Sequence, residues 1–273
     1  MITLKKSGAL SIGGQTLEFR HAGPEPDQAA TIVLLHEGLG SAALWGDFPE
    51  KLSAATGAGV FAYSRAGYGK SSGKPAPWPV NYMHGEALEV LPRVLEAIRF
   101  QRGILLGHSD GASIATLYAG GVQDHRIRGL SLIAPHFIVE DVTIGSIAAA
   151  KKIYETGDLK SRLAPWHANV DHAFNGWSSA WLNPEFRHWD ISESLAYLRV
   201  PVQIIQGAKD QYGTMRQIEI AREECYCPVD AVIIEGAAHA PHREAPDETL
   251  AAAAEFATRI LSYHGEGLMK PAA

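Results

Sequence analysis

The chain has 273 residues, 46% apolar and 20% charged, which is the composition of an ordinary globular protein and not of a disordered or fibrous one. Its net charge of −6 and the lack of a long basic block argue against electrostatic capture of nucleic acid or an anionic membrane. No stretch approaches the roughly 18 apolar residues that span a bilayer, and the first ten residues lack a secretory apolar run. We therefore expect a cytoplasmic protein that acts on a small molecule, with no nucleic-acid or membrane partner; a homo-oligomer is compatible with this composition.

Short apolar strands alternate with helical patterns, which predicts a largely parallel sheet covered by helices. A hairpin around Gly13-Gly14 opens the chain. Helical spacing predicts helices over Leu88–Ile98, with a kink at Pro92, and over Ala251–Leu261. The predicted strands, in order, are Ala9–Ile12, Gln15–His21, Thr31–Leu35, Gly59–Tyr63, Gly103–Leu106, Leu130–Ala134, Val202–Ile205 and Ala231–Ile234.

One region interrupts this alternation. Between Phe137 and Leu195 the sequence shows helical patterns, no convincing strand, and four of the six tryptophans. We interpret residues 137–195 as a helical cap inserted into a core formed by residues 1–136 and 196–264. Residues 265–273 are then expected to form a flexible tail.

The segment Gly107–Gly111 matches the pattern G-x-S-x-G, with an apolar strand before it and a helical pattern after it. This is the context that a nucleophile elbow requires. The turn is so tight that side chains at Gly107 and Gly111 would clash, and the central residue takes a strained conformation. Ser109 is therefore the candidate nucleophile, and the Asp110 amide at the helix start is a candidate oxyanion donor.

A serine nucleophile needs a base, and the base needs an orienting acid. Asp210 follows one predicted strand and His239 follows the last, so both are expected at the sheet edge that carries Ser109. The order Ser…Asp…His is the one expected for a nucleophile on this kind of elbow. Glu140 and Asp141, which follow the sixth strand, are the alternative acids.

Five segments, in this order, resemble the α/β-hydrolase superfamily over nearly the full chain. The resemblance implies an α/β fold with an eight-stranded, mostly parallel sheet flanked by helices and a helical cap after strand 6. It also implies that Ser109 is the nucleophile, His239 the base and Asp210 the orienting acid. The matching segments are Leu34–Ser41, Ser64–Ser71, Gly107–Gly111, Gly207–Asp210 and His239–Pro246.

Two carboxylates depart from the family's usual pattern, and both flank the expected oxyanion hole. The resemblance places the second oxyanion donor at the Gly38 amide, with the Glu37 amide as the alternative. Members of the family usually have glycine at the position of Glu37 and often have an apolar residue at the position of Asp110. An ionised carboxylate about 6 Å from the oxyanion would cost roughly 3 kcal/mol at an effective dielectric of about 20. We therefore expect Glu37 to have a basic or hydrogen-bonding partner outside the hole, with Arg65 as the favoured cation, and Asp110 to cap the following helix as a carboxylate in its first turn. The alternative is that one carboxylate stays in the pocket and holds a substrate donor or a water.

Several histidines and tryptophans lie near these segments. His36 is expected to brace the first loop, and His108 to pack beneath the elbow. His239 and His242 have an H-x-x-H spacing without an accompanying carboxylate set, and Cys225 and Cys227 lack a second pair, so we expect no metal and no cofactor. The tryptophans could form the cap's own core, but we expect a substrate pocket lined by His136, Phe137, Trp166, Trp177 and Trp181.

These features together predict a serine hydrolase that cleaves a small carboxylic ester, thioester or lactone through an acyl-enzyme on Ser109. Carbon–carbon bond hydrolases of aromatic breakdown belong to the same superfamily and are an alternative, although they often carry asparagine where this chain has His108. A ligand receptor or interaction module on the same fold is the alternative from a different class.

Overall fold

Within residues 4–262, which a computed structural model describes, the centre of the protein is an eight-stranded sheet. Its strand order is β1-β2-β4-β3-β5-β6-β7-β8; β1 and β2 are antiparallel additions, and β3 to β8 run parallel. The predicted strands are confirmed with small shifts at their ends. They are β1 Ser7–Ile12, β2 Gln15–Ala22, β3 Thr31–Leu35, β4 Gly59–Tyr63, β5 Gly103–His108, β6 Ile127–Ile133, β7 Val202–Gly207 and β8 Val229–Ile234.

Helices cover both faces of this sheet, which explains why its central parallel strands, such as β3 and β4, are buried along their whole length. Alternate residues of β3 illustrate this: Val33 and Leu35 pack into one core, whereas Ile32 and Leu34 pack into the other. The helices are α1 Phe48–Thr56, α2 Tyr82–Gly85, α3 Leu91–Ala97, α4 Asp110–Val122, α5 Asp141–Thr156, α6 Leu159–Leu163, α7 Val170–Trp181, α8 Ser192–Ala196, α9 Arg216–Glu224, α10 Pro241–Glu244 and α11 Pro246–Ser262.

The helix predicted over Leu88–Ile98 is interrupted as expected near Pro92. A π-helical turn, Glu86–Val90, joins α2 to α3, and Pro92 occupies the first turn of α3. Proline lacks an N–H and its ring collides with the carbonyl one turn earlier, so a wider turn at this point relieves the clash.

The segment between β6 and β7 carries α5 to α8, as the helical pattern predicted. A bridge between Ile138 and Asp190 joins the two ends of this insertion. Its aromatic residues do not form a core of their own, because Phe174, Trp177 and Trp181 belong to the same apolar cluster as the sheet and α4. The cap boundaries at residues 137 and 195 stay an interpretation.

The predicted tail, 265–273, and the last residues of the predicted core lie outside the described residues. Among residues 4–262, no helix has both the length and the apolarity needed to cross a membrane.

Gly103 offers a test of how tightly the central strands pack. A Cβ at this position would lie 1.7 Å from the Thr31 carbonyl oxygen on β3. We expect Gly103→Ala to lower the free energy of unfolding by about 1–3 kcal/mol, because β3 and β5 must separate to admit the methyl group. Urea unfolding monitored by circular dichroism measures this change.

Gly145 is the matched control, because it lies exposed on α5 and, apart from its chain neighbours and the backbone of its own helix, no atom lies within 4 Å of its Cβ position. Gly145→Ala should raise the free energy of unfolding by about 0.5–1 kcal/mol, since alanine loses less backbone freedom in a helix. Equal stability of the two variants would contradict the packing argument.

Candidate active site

Ser109 lies at the tight turn between β5 and α4. Its backbone has φ of 52° and ψ of −117°, which is a strained conformation for a residue with a side chain. A Cβ on Gly107 would lie 2.3 Å from the Gly111 carbonyl oxygen, and a Cβ on Gly111 would lie 2.0 Å from the Leu35 carbonyl oxygen. The two glycines are therefore required by close backbone approach, as the sequence pattern predicts.

His239 connects Ser109 to Asp210. Its Nε2 lies 3.0 Å from the Ser109 Oγ, and its Nδ1 lies 2.9 Å from both Asp210 carboxylate oxygens. Because an ionised carboxylate only accepts, Nδ1 carries the hydrogen and Nε2 is free to accept from the serine hydroxyl. These three side chains follow the carboxyl ends of β5, β7 and β8, so the parallel sheet brings them together at one edge.

Several hydrogen-bond donors hold the Asp210 carboxylate in place. It accepts hydrogen bonds from the Gln206 side chain at 2.7 Å and from the Tyr212 backbone N–H at 2.7 Å, besides the bond from His239. Burial favours the neutral carboxyl, but the His239 and Tyr212 hydrogen bonds outweigh it and lower the pKa of Asp210 to about 2. Asp210 is therefore ionised at neutral pH and keeps the His239 ring in one orientation.

The two alternative acids lie elsewhere. Glu140 accepts from the Thr214 hydroxyl at 2.6 Å and from the Gln217 side chain at 2.7 Å. Asp141 is exposed and pairs with Arg187 at 2.8 Å. Neither carboxylate contacts His239.

Arg65 orients the loop that follows β3. Its fully buried guanidinium donates to the carbonyl oxygens of His36 and Glu37, the latter at 3.0 Å. In a trans peptide the N–H points away from the carbonyl, so the Gly38 N–H points opposite to the Glu37 carbonyl that Arg65 binds, and Gly38 is one of the residues that line the cavity described below. His36 braces the same loop as expected, since its Nδ1–H donates to the Glu37 carbonyl at 2.7 Å and its Nε2 accepts from the Arg65 N–H at 3.0 Å.

The Glu37 carboxylate has basic neighbours as expected, but the cation predicted for it, Arg65, was wrong. Arg65 contacts the Glu37 carbonyl, whereas the carboxylate lies 3.4 Å from His108 Nδ1 and 3.7 Å from the Arg243 guanidinium. Burial favours the neutral carboxyl, but His108 and Arg243 outweigh it and hold the pKa of Glu37 well below its usual value. His108 itself packs beneath the elbow, where its Nε2–H donates to the His239 carbonyl at 2.7 Å.

Asp110 lies in the first turn of α4 as expected, but its carboxylate makes no capping hydrogen bond to the N–H groups of that helix. It accepts instead from the Tyr82 hydroxyl and from Trp181 Nε1 at 3.2 Å, and it lies 3.9 Å from the Arg65 guanidinium. Burial raises the pKa of Asp110, and Arg65 and the two hydrogen bonds offset part of that rise. Its backbone N–H, at the first residue of α4, has no partner within the helix.

A cavity of about 350 Å³ opens above Ser109, between the sheet edge and the insertion. His136, Trp166, Trp177 and Trp181 line it as predicted, but Phe137 does not. Phe137 is fully buried in the main core, and its backbone N–H donates to Gln217 at 2.7 Å. Successive side chains in the segment after β6 therefore take opposite roles, with His136 on the cavity wall and Phe137 in the core.

His136 presents a neutral imidazole to this cavity. Burial, together with the neighbouring His239, lowers the pKa of His136 to about 3. Its Nδ1 has no hydrogen-bond partner among residues 4–262.

Sequence reasoning missed Tyr212 and Tyr82. The Tyr212 ring packs against His239 with centroids 4.7 Å apart, and its position two residues after Asp210 could have indicated it. Tyr82 contacts Asp110 from a helix 28 residues away, and no local pattern indicates that contact. The missed apolar wall of the cavity comprises Leu39, Leu44, Ile147, Leu159 and Leu163.

The buried Asp110 carboxylate provides a stability test. Asp110→Asn leaves the Arg65 guanidinium, 3.9 Å away, buried without its counter-charge. We expect the free energy of unfolding to fall by about 3 kcal/mol at pH 7. Asp141→Asn, which removes the same charge at an exposed site, should change it little. Equal effects in urea unfolding would refute the importance of the buried pair.

Comparison with solved structures finds many related folds, at low sequence identity. The enol-lactonase from Burkholderia xenovorans LB400 superposes with a TM-score of 0.72 and 18% identity, covering 91% of this chain and 99% of that one. A thermophilic esterase from Thermogutta terrifontis gives 0.73 and 17%, covering 94% and 100%. A bromoperoxidase from Bacillus anthracis gives 0.71 and 18%, covering 92% and 99%. These similarities establish the fold.

No curated protein matches the chain. The sequence model of the alpha/beta hydrolase family, however, matches residues 32–253. That range runs from the second residue of β3 into α11, so it includes Ser109, Asp210 and His239 as well as the insertion. The chain therefore belongs to the alpha/beta hydrolase family.

Proposed function

We propose that this protein is a serine-dependent hydrolase of a small carboxylic ester, thioester or lactone. The observation that carries the proposal is the chain of contacts from Ser109 Oγ to His239 Nε2, 3.0 Å, and from His239 Nδ1 to Asp210, 2.9 Å. This series of contacts ends at the base of a cavity of about 350 Å³, which suits a small substrate.

In the first half-reaction, the Ser109 oxygen attacks the substrate carbonyl carbon while its proton passes to His239 Nε2. The carbonyl electron pair moves to the oxygen, which the Gly38 and Asp110 N–H groups stabilise. The Asp210 carboxylate stabilises the imidazolium that forms. The bond to the leaving oxygen or sulfur then breaks, His239 returns the proton to it, and an ester remains on Ser109.

In the second half-reaction, His239 takes a proton from water, whose oxygen attacks the acyl carbon. The new tetrahedral intermediate again places its negative charge at the Gly38 and Asp110 N–H groups. It collapses to a carboxylic acid, and the Ser109 oxygen recovers its proton from His239.

The surroundings of the cavity favour an uncharged substrate with an apolar part. Leucine, isoleucine and tryptophan side chains form its apolar wall, and His136 faces it as a neutral group, while Arg162, Arg243 and Glu244 also line the cavity. The nearby Glu37 carboxylate lies beside His108 and Arg243. The Asp110 carboxylate accepts from Tyr82 and Trp181 and lies near Arg65. The family relatives described as an esterase and an enol-lactonase act on this class of bond.

Replacement of the nucleophile tests the proposal directly. Ser109→Ala should abolish turnover of p-nitrophenyl esters and covalent labelling by a fluorophosphonate probe, because the attacking oxygen is gone. The measurements are release of p-nitrophenolate and intact-protein mass, with circular dichroism to verify folding. A folded Ser109→Ala protein that still takes up one equivalent of probe would refute the assignment, and a wild-type protein that takes up none would favour a receptor.

Replacing each of two carboxylates by an amide tests which residue is the orienting acid. Asp210→Asn should reduce kcat by about 10⁴-fold, because the amide no longer holds His239 in the reactive tautomer. Glu140→Gln should leave kcat within a few-fold of wild type, since Glu140 bonds to Thr214 and Gln217. The assignment fails if Asp210→Asn retains near-normal turnover while Glu140→Gln does not.

A further inference from the structure

Helix α7 of the insertion lies against both proposed oxyanion donors. Trp177 and Trp181 are four residues apart, so their side chains share one face of the helix. Trp181 Nε1 donates to the Asp110 carboxylate at 3.2 Å and to the Tyr82 hydroxyl at 3.0 Å. These bonds fix α7 against the first turn of α4, where the Asp110 N–H begins the helix.

One turn earlier, Trp177 packs directly on Gly38. A Cβ built on Gly38 would lie 2.0 Å from Trp177 Nε1 and 2.5 Å from its Cδ1, so the indole nitrogen contacts the glycine backbone. Gly38 does not have a positive φ, so packing and not backbone conformation requires glycine here. The lack of a side chain at Gly38, the proposed oxyanion donor, thus leaves room for the Trp177 indole N–H.

The Trp177 indole N–H is unused in this structure. Trp181 Nε1 has two acceptors, whereas Trp177 Nε1 makes no hydrogen bond to any residue of the described range. Trp177 is 6% exposed, and it lines the cavity together with Gly38, Ser109 and Asp110. A donor on the wall of a cavity gains its hydrogen bond when a ligand supplies the acceptor.

We propose that Trp177 Nε1–H is a third oxyanion donor, which bonds the substrate carbonyl oxygen alongside the Gly38 and Asp110 N–H groups. The inference rests on the proposed function, because the acceptor exists only when Ser109 attacks a carbonyl. It makes Trp177 a catalytic residue supplied by the insertion, and it gives α7 a role beyond enclosing the substrate.

A spectroscopic test detects the hydrogen bond itself. A small alkyl trifluoromethyl ketone reacts with a nucleophilic serine: Ser109 Oγ bonds to the ketone carbon, its proton passes to His239, and the carbonyl oxygen becomes an oxyanion. In protein labelled with ¹⁵N-tryptophan, the Trp177 indole proton should then move downfield. The indole signal that is absent from the Trp177→Phe spectrum is assigned to Trp177, and spectra of variants in which the other tryptophans are replaced check this assignment.

Two outcomes of this experiment separate the inference from the function on which it rests. An adduct on Ser109, seen by mass, with no change in the Trp177 signal overturns the third donor and leaves the serine hydrolase standing. The absence of any adduct overturns both. In Ser109→Ala the ketone should leave the Trp177 signal unchanged.

Kinetics provide the second test. Trp177→Phe keeps an aromatic ring but removes the N–H. We expect kcat to fall by about 10- to 100-fold, the upper value being typical of a lost oxyanion donor, while KM changes little. Trp189→Phe is the matched control: its Nε1 is also unpartnered, but it is buried outside the cavity, and kcat should be unchanged. A rise in KM at constant kcat for Trp177→Phe would assign it to substrate packing and overturn the proposal.

Discussion

The arrangement of the site depends on one buried cation, the guanidinium of Arg65. It donates to two carbonyl oxygens of the loop after β3 and lies 3.9 Å from the carboxylate of Asp110, the residue after Ser109. A guanidinium without partners would be very costly to bury, so it holds these acceptors firmly in place. The same carboxylate accepts from Tyr82 and from Trp181 of the insertion. Loop, elbow and insertion are thereby fixed around Ser109 by a single network of charges and hydrogen bonds.

This network also explains how the site accommodates two carboxylates that depart from the family's usual pattern. An unpartnered carboxylate near the oxyanion would oppose the charge that develops there. Glu37 is turned toward His108 and Arg243, and Asp110 is turned toward Arg65, so each has a nearby positive or hydrogen-bonding group. The neutral His136 adds no charge on the cavity side. The Glu37 and Asp110 carboxylates are thus both compensated, although both residues line the cavity.

Much of the fold and of the reactive geometry was predictable, because both follow from short-range patterns. Largely apolar runs of five to seven residues form the parallel strands, and parallel strands necessarily gather their carboxyl ends at one edge. Residues in the turns and loops that follow those ends, Ser109, Asp210 and His239, therefore meet in space although about 130 residues separate the first from the last. The glycines around Ser109 follow from the same local constraint, since the turn leaves no volume for side chains.

The sequence by itself thus determined the sheet, the insertion and the nucleophile, base and acid candidates, each of which follows from local spacing and strand order. Only the tertiary structure decided the partners of the charges and the cavity wall. Glu37 pairs with Arg243 and not Arg65, and Phe137 turns into the core while its neighbour faces the cavity. Such contacts join residues far apart in the chain, and the packing of whole helices, not any local pattern, sets the direction of each side chain.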